Sequence, residues 1–328
     1  SGPNGLYSIT HSATGKPTTS VVYDALDREV RSTDVRFDGK LRSIDRQYDS
    51  YGNLEKVSLP FVDGSASYWN TYTYDEYNRV LSFAEASGKT TTYSYDDTGI
   101  TTVENNVATT RDYDAQGNLI SVTDPSGTVT YNLYADGQPT SIIAPGDVTT
   151  TFEYDKYRRQ TVLSDPSSGT TVYEYDDAGN ISKVTNANGE VITHEYDVYN
   201  RLVKTTNPEF STSYNYNNRD ELFLIASTNG TGKAYARDDY GRLTLYADLG
   251  ADGKWLRKEF AYSDGNVSSV KFTSNLGELV TESYVYSNGH LKMVKLNGSQ
   301  YYTLLNEDNF GNPVKINSFT IISCLFLK

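Results

Sequence analysis

The sequence holds one cysteine, one methionine, two tryptophans and three histidines in 328 residues. The single cysteine, Cys324, excludes a disulfide within the chain but does not fix the compartment, because many secreted bacterial proteins carry none. It sits in an apolar tail with no activating neighbour. His11, His194 and His290 lie far apart, and no histidine pair or cysteine cluster has metal-ligand spacing. There is no Gly-x-Ser-x-Gly elbow and no phosphate-cradling glycine loop. These absences leave no catalytic, cofactor-binding or metal-binding constellation, so no enzyme activity, cofactor or metal is expected. No run approaches the roughly 20 apolar residues of a membrane helix, and no helical apolar period outlasts one turn. An excess of basic residues is also missing. Lys+Arg is 29 against 42 Asp+Glu, a net charge of −13, which argues against nucleic acid and anionic membranes as partners. No signal peptide is present, and Ser1-Gly2-Pro3 looks like a cloning remnant, so the chain is expected to start inside a longer protein.

What the chain has in quantity is tyrosine, 29 residues of it, and a repeat. The stretch from Tyr175 to Leu202 opens on Tyr175-Asp176 and returns to Tyr196-Asp197, with a second turn, Asn186-Ala187-Asn188-Gly189, between them. One unit therefore reads strand, turn, strand, turn, and a fixed-period repeat determines the architecture. Asp after the Tyr suits the first position of a type I turn, where its carboxylate accepts a backbone N–H. The residue four after the Tyr must then take a positive φ, which Gly adopts without steric cost and Asn or Asp tolerate. Asp27, Gly52, Asn78, Gly99, Gly117, Gly179, Asn200, Asp220, Gly241 and Gly311 obey the rule. Arg158 breaks it, so strain or a shifted turn is expected there. A valine at Gly179 is expected to destabilise the protein by roughly 1–3 kcal/mol, as read from its melting temperature, whereas Asp177→Ser should do little.

Copies begin at Tyr23, Tyr48, Tyr74, Tyr95, Tyr113, Tyr134, Tyr154, Tyr175, Tyr196, Tyr216, Arg237, Tyr262, Tyr286 and Glu307, after a degenerate first unit with His11 in the Tyr place. The repeat positions that should carry the structure are Tyr48, Asp49 and Gly52; Tyr74 and Asp75; Tyr95, Asp96 and Gly99; Tyr113, Asp114 and Gly117; Tyr154 and Asp155; Tyr175, Asp176 and Gly179; Tyr196 and Asp197; and Gly241. Three copies are one residue shorter, at Tyr134-Ala135-Asp136-Gly137, Tyr262-Ser263-Asp264-Gly265 and Tyr286-Ser287-Asn288-Gly289. Their Asp-Gly and Asn-Gly pairs predict two-residue type I′ hairpins. Before each Tyr the aromatics fall two apart, as in Val172-Tyr173-Glu174-Tyr175, which places them on one face of a strand. Each buried Tyr needs a partner for its hydroxyl, and the next unit's backbone or carboxylates would supply one.

These readings predict an all-β chain of antiparallel β-hairpin repeats. Fourteen copies make about 28 strands, and an open twisted sheet rarely exceeds ~10 strands without curling, so a coiled, spiralling sheet is expected with its aromatic stripe buried inside. Tyr-Asp turns should line one rim and Asp-Pro-Ser-Gly-type turns the other. Residues 1–317 read as one repeat domain and residues 318–328, SFTIISCLFLK, as an atypical apolar tail. That tail is either an extra strand or non-native end, or a variable segment that docks inside the coil. Terminal strands left as open edges invite self-association. The turn carboxylates are simplest as turn acceptors, with weak calcium binding by stacked acidic turns as the alternative. The Tyr stripe is simplest as core, with stacking on sugars as the alternative.

The repeat YDSYGNL at 48–54, YDEYNRV at 74–80, YDAQGNL at 113–119, YDDAGNI at 175–181 and YDVYNRL at 196–202 resembles the YD or RHS repeat family over residues 10 to 317. YDALDREV at 23–30 and SLPF at 58–61 resemble RHS regions near insecticidal-toxin C components. The resemblance implies a spiralling β-shell that encloses a C-terminal toxin in bacterial toxin complexes and polymorphic toxins, or carries adhesion modules in teneurins. It implies a secreted or cell-surface bacterial scaffold whose partner is its own C-terminal toxin or effector domain or a shell partner protein. The alternative it leaves is an adhesion module binding glycan or protein. The family's Asp-Pro-x-Gly autocleavage region after the last repeat has no counterpart here. Asp124-Pro125-Ser126-Gly127 matches the four letters but lies mid-chain, in an ordinary second turn.

Overall fold

The computed structural model describes residues 6–318, which contain thirty strands and no helix. The apolar tail beyond Ser318, Cys324 included, and the first five residues lie outside the described part. Contacts divide the chain into two units: residues 1–89, 236–247 and 254–328, and residues 90–235 with 248–253.

In the second unit each strand pairs antiparallel with the next in the chain, from Thr90–Tyr95 through Gly232–Arg237. Successive turns therefore fall at opposite ends of the strands, with Tyr-Asp turns at one end and second turns at the other. Alternation follows the sequence: Tyr173 and Tyr175 are half-buried while Val172 and Glu174, which alternate with them, are exposed. The stripe is not buried as expected. Tyr95, Tyr175 and Tyr196 are all half-buried.

In the first unit the strands Tyr7–His11, Thr19–Tyr23, Glu29–Val35 and Leu41–Tyr48 pair in order. Leu41–Tyr48 then divides its partners. Arg42 and Ser43 pair with Phe61–Val62, a short strand outside the repeat count, and its far end pairs with Leu54–Ser58. Six further strands, Trp255–Ser263 to Pro313–Ser318, pair in order. The buried apolar residues, Val30, Phe37, Phe61, Val270 and Leu304, all belong to this unit.

The turn rule holds at nine of its ten positions. Asp27, Gly52, Asn78, Gly117, Gly179, Asn200, Asp220, Gly241 and Gly311 have φ between 58° and 94°. Arg158 resolves the expected choice as strain: it sits at φ 65° in an unshifted turn, with its N–H on Asp155 O at 3.0 Å. Gly99 is the exception. Here Tyr95 pairs with Ile100 without a bulge, and Gly99 has entered the ladder opposite Asp112. A Cβ on Gly99 would lie 2.9 Å from Asp112 Oδ1, so the glycine serves close approach, not a positive φ.

The short copies divide. At 262 and 286 both loop residues are left-handed, Asp264 with Gly265 and Asn288 with Gly289, and Ser263 pairs with Asn266 and Ser287 with His290. Those are the type I′ hairpins expected. At 134 the expectation fails. Leu133 takes the Tyr place and pairs with Pro139 across a bulge, Tyr134 N–H bonds Gln138 O, and only Gly137 is left-handed. The turn is the ordinary Tyr-Asp form with Tyr134 standing where the Asp would be.

Candidate functional site

The recurrent chemical feature is the Tyr-Asp corner. At 175–181 the amide of Asp176 donates to Asn180 O at 2.9 Å and that of Gly179 to Asp176 O at 3.0 Å. The register slips between Glu174 and Tyr175, so the turn ends in a one-residue bulge. Asp176 Oδ1 accepts the N–H of Asn180 at 2.8 Å, and Oδ2 accepts its side-chain amide at 3.1 Å. Asp49, Asp114 and Asp308 repeat this set with Asn53, Asn118 and Asn312. At 217 the charge is exchanged: Asn217 Oδ1 accepts the same backbone donors and Asn217 Nδ2 donates to Glu221. The carboxylates are thus turn acceptors, with most lone pairs directed into their own turn. Among the described residues no group of three or more His, Cys, Asp or Glu side chains is placed to hold a metal.

The Tyr hydroxyl reaches backward along the chain, to the preceding unit. Tyr196 donates to Ile181 O at 3.0 Å, Tyr175 to Gln160 O at 2.6 Å, and Tyr216 to Leu202 O at 3.0 Å. Tyr48, Tyr74, Tyr154 and Tyr262 donate likewise to Glu29, Leu54, Pro139 and Leu243. Each acceptor is the residue that leaves the preceding Tyr-Asp-type turn, so each ring pins the exit of the turn before it.

One role escapes the residue pattern although its letters are visible. In most copies the fifth residue after the Tyr is Asn or Arg, and where it is Arg it closes the corner. Arg201 Nε bonds Asp197 Oδ2 at 2.7 Å, and its guanidinium lies 4.6 Å from the centre of the next ring, Tyr216. Arg28 stacks on Tyr48, Arg159 on Tyr175 and Arg242 on Tyr262, at 4.4–4.5 Å.

The aspartate hydrogen bonds give the wall a pH dependence. Side-chain bonds from Asn180, Asn118, Asn312 and Arg28, helped by backbone N–H groups, hold Asp176, Asp114, Asp308 and Asp24 below their usual 3.8. A folded-state pKa below the unfolded one contributes stability that is present above the unfolded pKa and is lost as pH falls through the folded value. The melting temperature should therefore hold from neutral pH to about 5 and fall below about 4. The variant Asp176→Asn, which keeps the acceptor, should flatten that fall.

A second constellation lies inside the first unit, where the turn after Glu29–Val35 meets the C-terminal hairpins. Phe37 at its tip is buried. Asn288 Nδ2 donates to Arg36 O at 2.9 Å, Ser287 Oγ to Phe37 O at 2.8 Å, and His290 Nε2 lies 2.9 Å from Val35 O. Arg36 Nη2 donates to Glu307 O at 3.1 Å, and Arg36 Nε lies 3.7 Å from Glu307 Oε2. His194 sits elsewhere, half-buried on its strand, with Nδ1 3.2 Å from Thr205 Oγ1. Asp124-Pro125-Ser126-Gly127 is the turn between Leu119–Asp124 and Gly127–Leu133, and Asp124 accepts the Ser126 N–H at 2.8 Å.

The sequence profile described as "Teneurin YD-shell" matches residues 7–160, and that described as "RHS Repeat" matches residues 160–191 and 175–209. No curated protein matches the chain. Among the solved structures similar to it are two of the same toxin assembly. One is the crystal structure of TcdB2-TccC3-Cdc42, at 14% identity and a TM-score of 0.55, covering 92% of this chain and 22% of that one. The other is TcdB2-TccC3 without its hypervariable C-terminal region, at 14% identity and a TM-score of 0.54, with the same coverage. The chain thus spans about a fifth of the length of the solved chains it matches. At this identity the likeness concerns the fold.

Proposed function

This chain belongs to the YD/RHS-repeat family, and we propose that it is a wall segment of a non-catalytic, secreted or cell-surface shell. In this reading the shell houses or presents the C-terminal toxin or effector domain of its full-length protein, alone or with a shell partner. The observation that carries it is the use of the reactive-looking side chains. Tyrosine hydroxyls are engaged by backbone carbonyls of the preceding unit, and turn aspartates by backbone amides of their own turn. Groups held in this way stiffen a wall and are not free to act on a substrate. The test is limited proteolysis of the full-length gene product. An enclosed C-terminal domain should resist digestion until the repeats are unfolded. Digestion at the rate of the isolated domain would contradict housing.

An adhesion module is the second reading, favoured by tyrosines at the turn tips. Tyr51 and Tyr240 are each 85% exposed, and Tyr77, Tyr157 and Tyr199 occupy the same turn position. Binding of this chain to a glycan array, lost on Tyr51→Ala, would support it over the enclosing wall.

A further inference from the structure

Four corners of the chain share one arrangement. The Arg that ends a turn bonds its own Asp and stacks 4.4–4.6 Å from the ring of the next Tyr, in the pairs Arg28–Tyr48, Arg159–Tyr175, Arg201–Tyr216 and Arg242–Tyr262. The corner at 49–53 has the same backbone turn and the same backward bond, from Tyr74 to Leu54 O at 2.9 Å. Its closing residue is Asn53, whose shorter side chain reaches Asp49 Oδ2 at 3.1 Å and Asn78 Oδ1 at 2.9 Å. Among the described residues no cation stacks on the Tyr74 ring. The ring lines a cleft of about 480 Å³ together with Tyr51, Asn53, Glu55, Tyr72 and Glu76, with Asp49 and Asp75 also in its wall. Glu55 and Glu76 are exposed and bear no hydrogen bond or ion pair.

We propose that this cleft binds the guanidinium of an arginine side chain presented by a peptide. The inference goes beyond the shell reading and stands on the internal comparison of corners. An aromatic face attracts a cation, and Arg stacks on it better than Lys because its planar group is weakly hydrated. The carboxylates of Glu55 and Glu76 supply acceptors for its N–H fork, as Asp197 does for Arg201. The arginine would enter from outside and take the role that Arg28, Arg159, Arg201 and Arg242 fill in their own corners; the corner at 176–180 is likewise closed by an Asn, Asn180, but carries Ser182 and Val198 where this one has Glu55 and Glu76.

The test is titration of the chain with acetyl-Gly-Arg-Gly-amide and, separately, acetyl-Gly-Lys-Gly-amide at matched ionic strength. The readout is the ring resonances of isotope-labelled tyrosine. The arginine peptide should shift the Tyr74 resonances and bind about tenfold more tightly than the lysine peptide. Asn53→Arg, which supplies the internal guanidinium seen at those four corners, should abolish the shift. Glu76→Gln, which leaves the turn bonds intact, should weaken binding several-fold. Equal affinity for the two peptides, or no shift at Tyr74 in the unaltered chain, overturns the proposal without reference to any variant. An undiminished response in a folded Asn53→Arg chain overturns it as well.

Discussion

Replacing Arg36 with methionine should destabilise the first unit by about 3–5 kcal/mol, seen as a lower urea midpoint. The side chain of Arg36 is 4% exposed and that of Glu307 8%, so the ion pair is withdrawn from water. Removing one partner leaves the other charge buried and uncompensated, which costs more than the pair itself contributes. Arg36 Nε has no hydrogen-bond partner, so desolvation of the guanidinium is incompletely offset even in the intact protein. The double variant Arg36→Met, Glu307→Leu should therefore recover most of the loss. A single variant as stable as the unaltered chain would show that the turn at 36–40 does not dock as described.

Gly289→Ala should cost about 2–5 kcal/mol, which combines roughly 1–2 for a left-handed residue with roughly 1–3 for overpacking. Gly289 has φ 79°, and a Cβ there would fall 2.3 Å from Pro17 N and 2.4 Å from Lys16 C. Those are backbone atoms, and neither can swing aside. Gly298 provides the control. It occupies the second position of the Asn297-Gly298 turn at φ 83°, and a Cβ added there would meet nothing within 4 Å. Gly298→Ala should show only the left-handed cost, about 1–2 kcal/mol. The difference between the two melting curves measures the contact of the 286–289 hairpin with residues 16 and 17. Identical curves would show that no such contact forms.

Much of the wall was legible because each step was local. Tyr, Asp and a Gly or Asn four residues after the Tyr define a turn whose geometry depends on nothing distant, so Asp176 and Gly179 stand where their letters place them. Local rules failed where a neighbouring strand intervened. Gly99 satisfies the turn pattern in sequence, yet Tyr113 N–H bonds Thr98 O at 2.8 Å and draws the glycine into the next ladder. Tyr134 reads as a shortened copy, but Leu133 and Pro139 set the register one residue earlier. Arg36 and Glu307 were illegible for a different reason. They lie 271 residues apart, and no repeat relates them. The stacking of each closing Arg on the following Tyr lay between these cases. Its letters recur in several units, but which ring it meets depends on how consecutive hairpins abut.

The Tyr hydroxyl is the stitch between consecutive units, and amide hydrogen exchange at the turn of 176–180 tests that role most directly. Asp176 and Gly179 N–H groups donate within that turn, and Tyr196 holds its exit through Ile181 O. In the unaltered chain both amides should exchange slowly, like those of the flanking strands. In Tyr196→Phe, which removes one hydrogen bond of about 1 kcal/mol, they should exchange roughly fivefold faster, while the turn at 155–159, pinned by Tyr175, keeps its rate. Unprotected turn amides in the unaltered chain, or rates indifferent to the loss of the hydroxyl, would contradict it.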